Sequence, residues 1–327
     1  MIPLSIAGKA VYTEANAGVG VGVRRSPVQA IEVLKAFFAQ QHEVAAAYLY
    51  GRYPAGASFA DTDIELGLVF GESAGEDEIR DYLEGISGAN PLGSEPGVLM
   101  PFALNTHALP VVYEVLTGGS LLVDNDARAR EAFVGKANAR LADERSALME
   151  EAKEAIMQAR SLGLAVTPAS GYMVPQPPKY LDPIRIGWRL GRVIASAAVL
   201  EATTRDPEAT ARDPERLGQA IGWFSNAAGA ATGIAKAMLN IFEMERPARR
   251  WQVFLPIADA GLITMDLALH LAALVEMRWQ LLTSGGLVSA ERLLVSVRAG
   301  VPHLIAFARQ AAWYCDMPGG RGDAKVH

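Results

Sequence analysis

The sequence predicts an α+β protein in which a small sheet domain precedes an antiparallel four-helix bundle. The predicted strands lie early in the chain, at 48–50, 63–70 and Val98 to Leu104. After a proline-rich stretch, the chain continues as four long amphipathic segments joined by short Gly/Pro turns, which is typical of a helical bundle. A length of 327 residues fits two domains.

Composition limits the class of protein. Half of the residues are hydrophobic, the net charge is −6, and Cys315 is the single cysteine. One cysteine excludes an intrachain disulfide and a cysteine-rich metal site, and it fits a reducing compartment. No apolar run has the length of a membrane span, and the first residues lack the pattern of a secretory signal. The acidic balance disfavours a broad nucleic-acid surface. We therefore expect a cytoplasmic protein with no membrane segment and no strong nucleic-acid signal.

The first domain, residues 1–165, is predicted from local signals. Residues 1–25 are rich in Gly and Val and indicate a strand or an irregular arm. Ser26-Pro27 provides an N-cap and an N1 proline for a first helix. The acidic stretch from Glu72 to Glu84 predicts a second helix. Val98 to Leu104 predicts a third strand, and Pro101 within it favours a sheet edge or a bulge.

The second domain follows a connector. One long helical pattern from Asp126 to Ala165 ends the first domain, and the proline-rich residues 166–183 predict a stiff linker. Residues 184–316 then form the bundle, and residues 317–327 are predicted to be disordered. The predicted helices cover 184–204, 215–244, 251–283 with a bend near Pro256 or Gly261, and 288–315.

The stretch from Tyr48 to Phe70 carries the chemistry. It is predicted to form a strand, a tight turn at Gly51, a loop and a second strand. Because side chains alternate along a strand, Asp63 and Glu65 project to the same side. Two neighbouring carboxylates suit Mg2+, which binds a few carboxylates together with substrate phosphates. Gly51 allows the close backbone approach that a phosphate requires.

Through Tyr50-Gly51 and Asp63-Ile64-Glu65, this stretch resembles the polymerase-beta superfamily of nucleotidyltransferases, especially the MNT-type enzymes of toxin–antitoxin systems. The resemblance implies a small mixed-sheet domain, ATP bound near Gly51, and Mg2+ held by Asp63 and Glu65 as catalytic residues. Arg52 departs from the family, which has a small residue there, and it would either block the triphosphate or contact it.

The resemblance also implies a third carboxylate on the third strand. Met100 takes that position, and no acid occurs from Val98 to Leu104. The metal site therefore lacks one of the three carboxylates that two-metal phosphoryl transfer uses.

The segment from Phe254 to Leu282 resembles the HEPN bundles of toxins that pair with MNT-type antitoxins. Those families carry an Arg-polar-x(4–6)-His motif that cleaves RNA without a metal. Arg278 matches the arginine, but residues 280–287 contain no histidine, so the HEPN site is degenerate. His270 precedes Arg278 and is interpreted as a packed helix residue.

Three functions remain open from the sequence. The first is Mg2+-dependent transfer of a nucleotidyl group from ATP to a hydroxyl acceptor, as in antibiotic nucleotidyltransferases and AMP-transferring antitoxins. The second is a catalytically inactive fusion that acts as an interaction module, as a homo-oligomer or with a protein partner. The third is an RNase that uses Arg278. A carboxylate beside Asp63 and Glu65 would favour the first, whereas Met100 in that place and Arg52 paired with either acid would favour the second.

Overall fold

The structure, a computed structural model, describes residues 27–50, 64–89, 91–92, 99–162, 181–244, 247, 250–284 and 289–315. It is α+β, as predicted, with a small four-stranded mixed sheet and several helices. The strands are β1 (Val44–Tyr50), β2 (Ile64–Phe70), β3 (Leu99–Ala103) and β4 (Ser120–Asp124). The helices are α1 (Pro27–Phe38), α2 (Glu76–Ala89), α3 (Leu109–Gly118), α4 (Ala127–Ser161), α5 (Pro183–Thr203), α6 (Pro207–Arg212), α7 (Pro214–Ile241), α8 (Leu255–Asp259), α9 (Met265–Ser284) and α10 (Ala290–Ala312). The predicted N-terminal arm, most of the connector and the C-terminal tail lie outside the described residues.

The sheet has the strand order β3-β2-β1-β4. β1 pairs antiparallel with β2 and β4, whereas β2 and β3 run parallel. β1 begins at Val44, earlier than the predicted start at Tyr48. The prediction missed Ala45 to Ala47 because alanine has little preference for strands. β4 and α3 were not predicted as elements.

β3 is an edge strand, which confirms the prediction made from Pro101. Proline has no backbone N–H to donate to a neighbouring strand, so it is accommodated at an edge, where one side of the strand has no partner. The parallel register places Met100 opposite Glu65. The methionine therefore lies on the strand beside the acid, where the family resemblance implied a third carboxylate.

Alternation along β2 decides what each face of the sheet buries. Ile64, Leu66 and Leu68 are buried in a core that α1 and α2 complete. Glu65 and Gly67 take the opposite face, where α3 packs closely. A Cβ on Gly67 would lie 3.1 Å from a methyl carbon of Val115 in α3, so the close packing depends on glycine.

The long helix α4 packs on both parts of the chain. Ala137 belongs to the core between α3 and the sheet, whereas Ile156 and Ala159 are fully buried with the later helices. The sheet unit and the helical part thus share one continuous 35-residue helix.

Two Asp-Pro pairs begin helices of the second half, as predicted. The carboxylate of Asp182 accepts a hydrogen bond from the Arg185 N–H at 2.9 Å, and Asp213 caps α7 in the same way. The small residues of α7 are buried against the chain's own core, so they do not form an exposed stripe; they include Ala227, Ala228 and Ala231.

The prediction of one bent helix over 251–283 was wrong. The segment is divided into a 3-10 turn (Arg250–Phe254), α8 and α9. Gly261 has φ of 75°, a left-handed conformation that ends a right-handed helix. α9 then starts anew, and the Leu267 N–H donates to the Thr264 hydroxyl at 3.2 Å. Among the described helices, none combines the length and the apolar character that crossing a membrane requires.

Candidate functional site

A cleft of about 640 Å³ lies between the sheet unit and the helical part. Strands β1 to β3 and helix α3 contribute one wall, and α5, α7 and α9 contribute the other. Seven of the described lining residues are charged. The cations are Arg185, Arg189, Arg192, Lys236 and Arg278, and the carboxylates are Glu65 and Glu114.

The carboxylate of Glu65 binds a lysine from the helical part. Lys236 Nζ donates to Glu65 Oε1 at 2.9 Å, and each side chain is about one quarter exposed. Glu65 also lies between Tyr50 and Met100 in the strand register. An ammonium group therefore neutralises the one described member of the predicted metal-binding pair.

The described residues around Glu65 do not fit a Mg2+ site. The neighbouring strand offers the thioether of Met100, and Lys236 occupies the carboxylate. Within the described ranges, no group of three or more His, Cys, Asp or Glu side chains is placed to hold a metal ion. Mg2+ prefers several hard oxygen ligands, which the described residues next to Glu65 do not supply.

The other sequence-predicted site residues divide into two groups. Gly51, Arg52 and Asp63 lie outside the described residues, so the predicted pairing of Arg52 with an acid stays a prediction. Arg278, predicted from the HEPN resemblance, lines the same cleft as Glu65. Its Nε donates to the Ser225 carbonyl at 3.1 Å.

A buried ion cluster holds the base of the cleft together. The Glu114 carboxylate of α3 accepts hydrogen bonds from Arg185 and Arg189 of α5. Burial would raise the pKa of Glu114, but the two guanidinium groups lower it below its ordinary value. Burial and the Glu114 charge raise the pKa of the Tyr50 phenol, which therefore stays protonated and hydrogen-bonds to Glu114.

Two glycines of α7 make room for guanidinium groups. A Cβ on Gly233 would lie 2.4 Å from Nε of Arg189. The guanidinium of Arg278 approaches Gly229 in ordinary van der Waals contact, 3.8 Å from the position of a Cβ. At these two glycines, arginine side chains therefore pack directly against the backbone of α7. No short sequence motif indicates this arrangement.

Arg192 lies further along the same wall. Its Nη2 donates to Asn226 Oδ1 at 2.5 Å, and its guanidinium carbon lies 4.8 Å from the centre of the Trp188 ring. Burial, followed by the charge of Arg189, lowers the pKa of Arg192. A lowered pKa indicates a positive charge that its described surroundings do not compensate.

His270 does not contribute to the cleft. It was predicted to be packed, but its side chain is about half exposed, and its ring stacks on His303 of α10 at 3.9 Å. Its Nδ1 lies 2.8 Å from the Asp266 carbonyl oxygen. Neither histidine lines the cleft beside Arg278.

Comparison of the chain with protein families, curated proteins and solved structures found no match. The site must therefore be interpreted from its own geometry.

Proposed function

We propose that the cleft binds a nucleoside triphosphate such as ATP and that Lys236 contributes the positive charge at Glu65 which a metal ion supplies in active nucleotidyltransferases. In this proposal the sheet unit is an MNT-type nucleotidyltransferase-like domain. The helices α5, α7, α9 and α10 correspond to a HEPN-like four-helix bundle of the toxin–antitoxin type.

The observation that carries the proposal is the position of Glu65 in a cleft with excess positive charge. Five cationic side chains face two carboxylates in the described lining. A triphosphate is a polyanion, and a low-dielectric cleft with excess positive charge attracts polyanions. Lys236 is well suited to this role because an ammonium binds phosphate as a point charge and can change partner with small movements of its flexible stem.

The proposal favours binding over catalysis. The described residues beside Glu65 do not fit Mg2+, so the proposed role does not require that ion. The chain would therefore act as a nucleotide-responsive interaction module and not as an Mg2+-dependent transferase.

Calorimetric titration with ATP in EDTA tests the proposal. We expect binding by the wild type and a loss of about tenfold or more in Lys236→Met, because a hydrogen bond to a charged group is worth about 1.5–3 kcal/mol. Lys153→Met is the matched control, since Lys153 forms a surface pair with Glu150 on α4, outside the cleft lining.

Glu65→Gln separates the two functions. If Lys236 binds the phosphates, this variant frees the lysine, removes a repelling carboxylate and tightens ATP binding without metal. If Glu65 holds Mg2+, the variant weakens ATP binding only when Mg2+ is present. The proposal is refuted if Glu65→Gln weakens ATP binding only in the presence of Mg2+. It is also refuted if the wild type transfers labelled AMP to any acceptor or does not bind ATP.

A further inference from the structure

The helical end of the cleft contains an arginine, Arg192, whose charge no acidic side chain of the described residues neutralises. Among the described residues, Arg192 forms no ion pair; its partners are the Asn226 amide oxygen and the Trp188 ring. The nearby carboxylate of Glu114 binds Arg185 and Arg189 instead. A partly buried charge without a counter-ion destabilises the chain unless a ligand supplies the opposite charge.

A second guanidinium group lies against the same turn of α7. Arg192 binds the side chain of Asn226, and Arg278 binds the carbonyl of Ser225, the preceding residue. Gly229, one turn further along, places no side chain between α7 and Arg278. Two arginine side chains, from α5 and α9, thus bind consecutive residues of α7 and line the same cleft.

This arginine pair is separate from the Glu65 end of the cleft. Lys236 is ten residues beyond Asn226 on α7, which corresponds to about 15 Å of helix. Arg189 lies between the two ends, against Gly233, and its charge is already matched by Glu114. A single phosphate group cannot contact both ends.

We infer that Arg192 and Arg278 form a subsite for the phosphate monoester group of a second ligand, distinct from the nucleoside triphosphate at Lys236. This inference rests on the proposed function for the identity of the first ligand only. A phosphate monoester carries a charge of about −1.5 to −2 at pH 7 and three strong acceptor oxygens, so it suits the charge of Arg192 and the donors of two guanidinium groups better than a carboxylate does. Planar guanidinium forks also bind phosphate oxygens in pairs.

The subsite constrains what can share the cleft with a nucleotide. A polycationic molecule such as an aminoglycoside would be repelled by Arg192 and Arg278. The second ligand is therefore a phosphorylated small molecule, and acceptors of the antibiotic type are excluded.

The experiment uses inorganic phosphate as the probe, titrated calorimetrically into the full chain with and without saturating ATP. We expect phosphate to bind in both conditions, and acetate to bind at least about tenfold more weakly. Arg192→Gln should weaken phosphate binding by about 10- to 100-fold. Arg192→Lys should recover part of the loss, since it restores the charge without the fork. Arg192→Gln should weaken ATP binding less than phosphate binding, because Arg192 acts on the triphosphate only through its distant, screened charge.

Arg216→Gln is the control, because Arg216 lies on the first turn of α7, outside the cleft lining, and is largely exposed. Circular dichroism and the urea midpoint show whether Arg192→Gln is folded. The subsite is refuted if phosphate does not bind the wild type, if Arg192→Gln binds phosphate like Arg216→Gln, if acetate binds equally well, or if ATP displaces phosphate. If ATP fails to bind while phosphate binding still depends on Arg192, the nucleotide proposal fails and the subsite stands.

Discussion

Replacing Glu114 by glutamine should strongly destabilise the chain. Glu114 is the only described carboxylate that pairs with the guanidinium groups of Arg185 and Arg189, and it joins α3 of the sheet unit to α5 of the helical part. Glutamine has nearly the same shape, so the variant removes the charge while it keeps the packing. The effect therefore measures the electrostatic contribution.

The magnitude follows from how deeply each partner is buried. The side chains of Glu114 and Arg189 are only 6% and 11% exposed, whereas that of Arg185 is 34% exposed. Removing one partner of a buried ion pair costs about 3–5 kcal/mol, because the other charge stays buried without compensation. Water screens Arg185, so its pair adds less than about 1 kcal/mol. We expect a total loss of about 3–5 kcal/mol in the free energy of unfolding.

Urea unfolding followed by circular dichroism measures this loss. Glu144→Gln is the matched control, because Glu144 forms an exposed i,i+4 pair with Arg140 and should cost no more than about 0.5 kcal/mol. The double variant Glu114→Gln/Arg189→Met should be more stable than Glu114→Gln alone, since it removes the orphaned charge. Equal unfolding free energies for Glu114→Gln and Glu144→Gln, or a double variant that simply adds two losses, would show the reasoning to be wrong.

The pH dependence gives an independent check on the same residue. The two arginines outweigh burial and lower the pKa of Glu114 in the folded chain below its ordinary value of 4.5. Stability from this group is therefore fully present above about pH 4.5 and is lost as the pH falls below it. The stability difference between wild type and Glu114→Gln should shrink over that acidic range.

Two further predictions concern helix packing and acid stability. Gly187→Ala should lower the free energy of unfolding by about 1–3 kcal/mol, because the new Cβ would lie 2.6 Å from the Ala152 Cα. Gly218→Ala, whose new Cβ has no atom within 4 Å, should raise it by about 0.5–1 kcal/mol. Urea unfolding compares the two variants, and equal effects would contradict the close α4–α5 contact. Burial and the charge of His270 lower the pKa of His303 below 6.5 in the folded chain. Wild-type stability should therefore fall as the pH drops below about 6.5, and it should fall less in His303→Gln. An identical pH profile for the two proteins would count against this assignment.

Features set by neighbouring residues could be predicted from the sequence. The Asp-Pro pairs at Asp182 and Asp213 mark helix starts because a carboxylate caps the first N–H groups and proline needs no hydrogen bond there. Pro101 indicated an edge strand for the same local reason. A bend near Pro256 or Gly261 was expected, whereas the helix ends at Gly261; a glycine can bend a helix or end it, and its φ, which distinguishes the two, has no sequence signal.

The decisive contacts of the site could not be predicted, because they join distant segments. Lys236 and Glu65 are 171 residues apart, and Arg189 and Glu114 are 75 apart. A lysine or arginine in an amphipathic helix has the same local pattern whether it faces solvent or a cleft. Arg278 was singled out by resemblance, yet its partner, the Ser225 carbonyl, belongs to another helix and carries no sequence signal.

The distribution of charge in the cleft determines which ion pairs connect its two walls. Every described carboxylate of the lining comes from the sheet unit, and every described cation comes from the helical part. The two parts are therefore held together across the cleft by Lys236–Glu65 and by the Glu114 cluster. In the proposed complex, Lys236 binds the triphosphate in place of Glu65, so the Lys236–Glu65 ion pair across the cleft is lost. The buried Glu114 cluster would keep the two walls in contact during that exchange.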